Sequence, residues 1–149
     1  MVKVHSVLNA DYIQFIEVEQ KSDALNQLVE GVAQSPNISD KEKFRDAVFK
    51  REALMSTGIG LGLAIPHVKI PEVRDLTIGI GISRKGIEWE SLDGKPVHII
   101  FLIAGSDHQH DQYLRTLSKL VLVLKNQKRR RDIIHAHDAD SVIRLFENI

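Results

Sequence analysis

His67 stands directly after Pro66, where the apolar run of "GLGLAIPHVKIP" stops. Neutral imidazole is a nucleophile near neutral pH, because its reference pKa of about 6.5 leaves a large unprotonated fraction. Such a ring can take a phosphoryl group on one nitrogen while a hydrogen bond holds the other, with no metal and no general base. The transfer itself asks chiefly for positioning and for stabilisation of the equatorial oxygens. Two upstream features could supply that stabilisation. Arg51, near the end of a predicted helix, could fold back and grip phosphoryl oxygens bidentately. The segment "STGIGLG", with Gly58, Gly60 and Gly62, could let backbone amides cradle an anion. It is not a phosphate loop, since the Gly-Lys-Ser/Thr ending is missing. The competing reading makes His67 a polar loop residue and the glycines simple turn formers. Spacing alone leaves both open.

These residues need a scaffold. Proline has no N–H to donate, so Pro66 should end ladder pairing of the strand "GLAI" and hold His67 on stiff backbone at a sheet rim. Upstream, residues 22–34 put Leu25, Leu28, Val29 and Val32 on one helical stripe, with Ser22 as N-cap. The stretch "AQSPNISD" joins this helix to the next. There a capping box of Ser39 and Glu42 opens a helix whose apolar face is Phe44, Ala47, Val48 and Leu54, and which stops near "STGIG". The middle of the chain reads as strands: "GLAI", "LTIGIGIS" at 76–83, "GIEWE" and "VHIIFLIAG", with Asp93-Gly94 as a turn. "HIIFLIA" is apolar on both faces and belongs at the centre of a sheet. Helix returns in "DQYLRTLSKLVLVLKN", with Leu114, Leu117, Val121 and Leu124 in one stripe and Leu120 beside it. A short last helix turns Val142, Leu145 and Phe146 inward. Helices, strands, then helices predict one compact α/β (α+β) domain over 1–149, with a mixed parallel and antiparallel sheet flanked by helices on both faces.

Composition excludes several classes of function. Lys plus Arg and Asp plus Glu are 20 each, so no global field draws the chain to nucleic acid or an anionic membrane. There is no cysteine, hence no disulfide, thiolate metal site or cysteine nucleophile. The opening "MVKVHSVLNADYIQF" lacks the apolar core of a signal peptide, and no apolar run approaches the ~20 residues of a membrane helix. The expected location is the cytoplasm. His108 and His110 with Asp107 and Asp111 could be read as a metal cluster, but their spacing matches no established zinc pattern, and a polar loop opening a helix is the better account. The basic run "KNQKRRR" reads as the solvated end of a helix, with no aromatic platform for nucleic acid. "HAHD" reads as a connector, and Trp89 as a packing residue. No metal and no cofactor is called for.

The residues around His67 carry a further signal. "REALMSTGIGLGLAIPHVK", followed by "GIEWESLDGKPVHIIFLIAG" and "LRTLSKLVLVL", resembles the enzyme IIA domain of fructose–mannitol type (type 2) of the bacterial phosphoenolpyruvate-dependent phosphotransferase system. The resemblance runs over nearly the whole chain. It implies that His67 receives phosphate from the small phosphocarrier HPr or a paralogue and passes it to a sugar-specific IIB component. It implies that Arg51 stands near the phosphorylated ring, with Thr57, Gly58 and Gly60 as the matching phosphate-binding block. The family pattern has a second histidine, as His-Leu-x-x-Leu, where this chain has Tyr113 in "YLRTL". His110 lies one helical turn earlier, so either residue could line the opposite side of the site. A IIA domain with no attached IIB or membrane IIC part also fits the nitrogen-regulatory branch, in which phosphorylation governs binding to a target protein. Relay to a sugar component and regulation of a partner both remain open here.

Overall fold

Two long strands organise the molecule, β5 (Thr77–Ile87) and β6 (Val97–Gly105), paired antiparallel from Thr77↔Ala104 to Ile87↔Val97. The computed structural model describes residues 3–149. Around this pair lie α1 (Val4–Val7), a 3-10 turn at Ala10–Tyr12, β1 (Ile13–Phe15), α2 (Lys21–Val32) and α3 (Lys41–Leu54). The short strands β2 (Gly58–Gly60), β3 (Leu63–Ala64) and β4 (His67–Lys69) follow, and α4 (His110–Val123), α5 (Gln127–Ile134) and α6 (Ala139–Arg144) come after β6. The sheet runs β1-β5-β6-β3-β2, with β4 also on β6. β1 is parallel to β5, and β3 and β4 are parallel to β6; β2 is antiparallel to β3. This is the mixed sheet, helix-covered on both faces, that the element order predicts.

Side-chain alternation along β6 builds two apolar layers. Ile100, Leu102 and Ala104 meet Leu25, Leu28, Val32, Phe44 and Val48 beneath α2 and α3. Ile99, Phe101 and Ile103 meet Leu120, Leu124, Ile133, Val142 and Phe146 of the C-terminal helices. Burial on both faces makes β6 the central strand, as its sequence requires. The glycine alternation of β5 has a packing cause. Ile78, Ile80 and Ile82 fill the second layer, while Gly79 and Gly81 face α2. A Cβ on Gly79 would lie 2.3 Å from Val32 Cγ2, and one on Gly81 2.5 Å from Ile16 Cδ1. The missing side chains let the first layer sit directly on the strand backbone.

The structure departs from the sequence reading at several points. Pairing does not end at Pro66: His67–Lys69 rejoins β6, so the proline only divides one path along β6 into β3 and β4. "GIEWE" is no separate strand; Ile87 closes β5 and Trp89 is fully buried beyond it. Leu54 is exposed because the buried stripe of α3 is Phe44, Val48 and Glu52. Leu114 is exposed because α4 buries Tyr113, Thr116 and Leu120 instead. Asp40, not Ser39, caps α3 by accepting from the Lys43 amide (3.1 Å), and Ser22 lies inside α2, which starts at Lys21 without a side-chain cap. The basic run does not end a helix. It opens α5, where Asn126 caps Arg129 and Arg130 returns to the Leu124 and Lys125 carbonyls (2.7 and 2.8 Å). Among the described residues no helix is long and apolar enough to cross a membrane.

Candidate functional site

β4 places His67 opposite Ile103 on β6. Val68 points into the layer under α2 and α3, so His67 and Lys69 project on the other face, toward α4. The His67 ring is half-buried, and its Nδ1 lies 2.7 Å from the Ile65 carbonyl oxygen. A carbonyl only accepts, so Nδ1 carries the proton. The neutral ring is therefore the Nδ1–H tautomer, with its lone pair on Nε2.

Tyr113, in the first turn of α4, stands beside this ring, with centroids 6.3 Å apart and planes at 51°. Its position depends on Gly105 at the end of β6. A Cβ there would lie 2.3 Å from Tyr113 Cδ1, so the phenol ring rests against bare backbone. Burial pushes the Tyr113 hydroxyl up to about 12, and the nearby Arg51 charge opposes that shift. Tyr113 therefore presents a neutral O–H at all ordinary pH. Arg51 lies in the last turn of α3, and its Nη1 donates to the Met55 carbonyl at 2.9 Å. The Tyr113 ring thus stands beside His67, with the Arg51 charge near its hydroxyl.

The glycine segment does something other than form a cradle. It is a hairpin, β2–β3, whose two-residue tip Leu61-Gly62 has φ of +59° and +75°, the left-handed pair that suits strand twist. The Leu61 amide donates to Asp93 Oδ2 (3.1 Å), which fastens the tip to the Ser91–Gly94 turn. The Lys95 amide first, then that of Leu61, holds the Asp93 carboxyl below its usual range. Gly58 donates to Ser56 Oγ (3.1 Å) and packs on Ser91, where a Cβ would lie 2.4 Å from Oγ. Gly60 pairs with Leu63, which pairs with Ile99, four residues back along β6 from His67's partner Ile103. That register separates Gly60 from the ring by roughly 13 Å of strand. Thr57 turns inward: its amide and hydroxyl donate to the two oxygens of Glu52 at 3.0 and 2.6 Å. The Thr57 amide and hydroxyl and the Gly58 amide of the expected phosphate block are thus spent within the protein, and Gly60 lies along the strand away from the ring.

His110 sits one turn before Tyr113, exposed, with Nδ1 2.6 Å from Lys69 Nζ. The ammonium is the donor, so this ring is neutral in that contact. Among the described residues no three His, Asp or Glu side chains gather as a metal site. The sequence reading passed over Glu52, a buried carboxylate paired with Lys21 at 2.8 Å. Its signal was present: Glu52 follows Phe44 and Val48 at intervals of four, on the apolar stripe. Lys69 was legible by alternation, two residues from His67 on the same face.

Comparison with known proteins agrees with this architecture. Residues 6–149 match the family described as "Phosphoenolpyruvate-dependent sugar phosphotransferase system, EIIA 2". The chain belongs to that family. It is 32% identical over 146 residues to the PTS system fructose-specific EIIABC component of Bacillus subtilis, covering 97% of this chain and 23% of that protein's length. It is 27% identical over 134 residues to the PTS system fructose-specific EIIA component of Haloferax volcanii, covering 87% of each. Among solved structures, the nitrogen regulatory protein IIA-Ntr from Neisseria meningitidis superposes with a TM-score of 0.87 at 26% identity, covering 96% of this chain and 98% of that one.

Proposed function

We propose that the protein is a phosphocarrier in which Nε2 of His67 accepts a phosphoryl group from a donor of the HPr type and gives it up to a IIB component. The observation that carries this reading is the 2.7 Å hydrogen bond from Nδ1 to the Ile65 carbonyl, which leaves Nε2 as the free nucleophile on a half-buried ring. In the forward step an N–P bond forms at Nε2 as the bond between phosphorus and the donor's leaving atom breaks. The Nδ1–H···O bond persists and takes up part of the positive charge that develops on the ring. Arg51 supplies charge to the phosphoryl oxygens, and the Tyr113 hydroxyl supplies a neutral donor. His110, tied to Lys69, borders the same end of α4. Exposed Leu54 and Met55 lie at the end of α3 just after Arg51, and exposed Leu61 and Leu92 lie on the hairpin tip and the adjoining turn. They fit a brief apolar docking contact with donor and acceptor proteins. In this reading residues 1–149 act as one type-2 IIA unit and meet their partners in the cytoplasm.

The likeness to IIA-Ntr over nearly the whole chain favours a second reading, in which phosphate on His67 changes the choice of a regulatory partner and moves no further. One experiment addresses both. The protein is incubated with phosphoenolpyruvate, enzyme I and HPr or its nitrogen-branch paralogue, and acid-labile phosphate is mapped. Label on His67 is expected, and it should be lost in His67→Ala; label that persists in that variant defeats the proposal. Discharge of the label by a IIB domain supports relay, and discharge only to the donor and water supports regulation.

A further inference from the structure

We infer that Glu52 is a positioning residue for His67, acting through the backbone of Thr57 and Ile65. Glu52 does not touch the ring. It accepts the Thr57 amide at 3.0 Å and the Thr57 hydroxyl at 2.6 Å, one on each carboxylate oxygen. The Thr57 carbonyl accepts the Ile65 amide at 3.1 Å, and the Ile65 carbonyl accepts Nδ1–H of His67 at 2.7 Å. Donor leads to acceptor at every step, from the imidazole back to one buried carboxylate. The carboxylate is itself fixed, because Lys21 Nζ lies 2.8 Å from Oε1, and that ammonium also donates to the Trp89 carbonyl (3.3 Å) and lies over the Trp89 ring (5.2 Å).

The coupling is geometric. The amide and carbonyl of Thr57 belong to different peptide groups, as do those of Ile65, so no single conjugated unit carries charge along the chain. Pinning Thr57 at both its amide and its hydroxyl sets where its carbonyl points. That carbonyl sets Ile65, and Ile65 selects the tautomer of His67. The same brace reaches the cation. The Met55 carbonyl that receives Arg51 lies two residues before Thr57, and the intervening Ser56 hydroxyl is tied to the Trp89 carbonyl at 2.8 Å. One buried ion pair thus fixes the segment on which both the nucleophile and the guanidinium lean. A carboxylate on the apolar stripe of α3 carries a desolvation cost that a leucine would avoid. Its three donors reach both carboxylate oxygens, and through them it specifies one arrangement of the site.

The test uses the phosphate-free full chain and three variants, Thr57→Val, Thr57→Ser and Glu52→Gln. Long-range ¹H–¹⁵N correlation of the imidazole reports the tautomer directly. Wild type should show His67 protonated at Nδ1. Thr57→Val and Glu52→Gln should show a rise in the Nε2–H form, and Thr57→Ser should restore the wild-type pattern. Phosphoryl acceptance rests on the phosphocarrier reading and should fall roughly tenfold or more in Thr57→Val, with recovery in Thr57→Ser. The tautomer measurement needs no phosphoryl donor, so it stands even if wild type takes no label. Folded Thr57→Val and Glu52→Gln with an unchanged His67 tautomer would overturn the inference, whatever their melting temperatures. If Glu52→Gln fails to fold, the two Thr57 variants decide alone.

Discussion

Gly105→Ala is the sharpest test of how the site is packed. The new Cβ would lie 2.3 Å from Tyr113 Cδ1, 2.8 Å from Cε1 and 3.1 Å from Cγ. Contacts this short require something to move, and the obstacle is a buried ring. Overpacking of this kind costs about 1–3 kcal/mol. The substitution also restricts the unfolded chain, which returns about 0.4–1 kcal/mol. The clash wins, with a net loss of about 1–2 kcal/mol and a fall in Tm of roughly 2–8 °C for a chain of this size. The ring can escape only by swinging away from β6, which alters its 6.3 Å approach to His67, so phosphoryl acceptance should slow in the same variant. Calorimetry of a double-mutant cycle with Tyr113→Ala isolates the cause, because Gly105→Ala should cost far less once the ring is gone. An equal cost in both backgrounds, or a Gly105→Ala protein that melts at or above the wild-type temperature, would refute the reasoning.

Three further outcomes follow from the same structure. The Tyr113 hydroxyl is raised to about 12 by burial, so the folded state keeps a proton that the unfolded chain releases near 10; stability is intact below pH 10 and is lost between 10 and 12. Against Tyr113→Phe, wild type should lose at most about 2–3 kcal/mol over that window in urea titrations, and parallel curves would contradict the assignment. Leu92→Asp and Met55→Asp, both at exposed positions, should leave Tm within about 1–2 °C while raising the KM for a phosphorylated HPr-type donor severalfold; an unchanged KM removes these residues from the docking surface. Asp40→Ala should lower stability by about 1 kcal/mol through loss of the α3 cap without slowing phosphoryl acceptance, and a neutral Tm would return the cap to Ser39.

Much of the fold was legible because burial patterns speak through periodicity. After His98, "IIFLIA" is apolar at every position, as suits a strand covered on both faces. Isoleucine and glycine alternating in β5 announced two unequal faces, although not that the glycine side was reserved for close approach of α2. His67 and Arg51 stood out because a nucleophile after a strand-breaking proline and an arginine near a helix end are local features. Legibility failed where a residue's partner lies far away in sequence. Ser39 and Asp40 are both good caps, and the choice between them turned on Ser39 Oγ donating to the Glu72 carbonyl, 33 positions on. Glycines at 58, 60 and 62 look alike whether they bind an anion or turn a hairpin; the Asp93 carboxylate that anchors the tip settles it for the hairpin. The spacing of Glu52 sets it on the apolar stripe of α3, but nothing near it in the chain names Lys21 as its counter-ion.

The seat of His67 on β6 also sets an order of events for a growing chain. The strand partner of His67, Ile103, is synthesised 36 residues after it, and Tyr113 later still. No stretch that ends before β6 can present a competent imidazole, however well its early helices have formed. Contacts of this sequence separation are slow to close. On the phosphocarrier reading proposed above, a nascent protein would stay inert toward a phosphoryl donor until residues beyond 113 have left the ribosome.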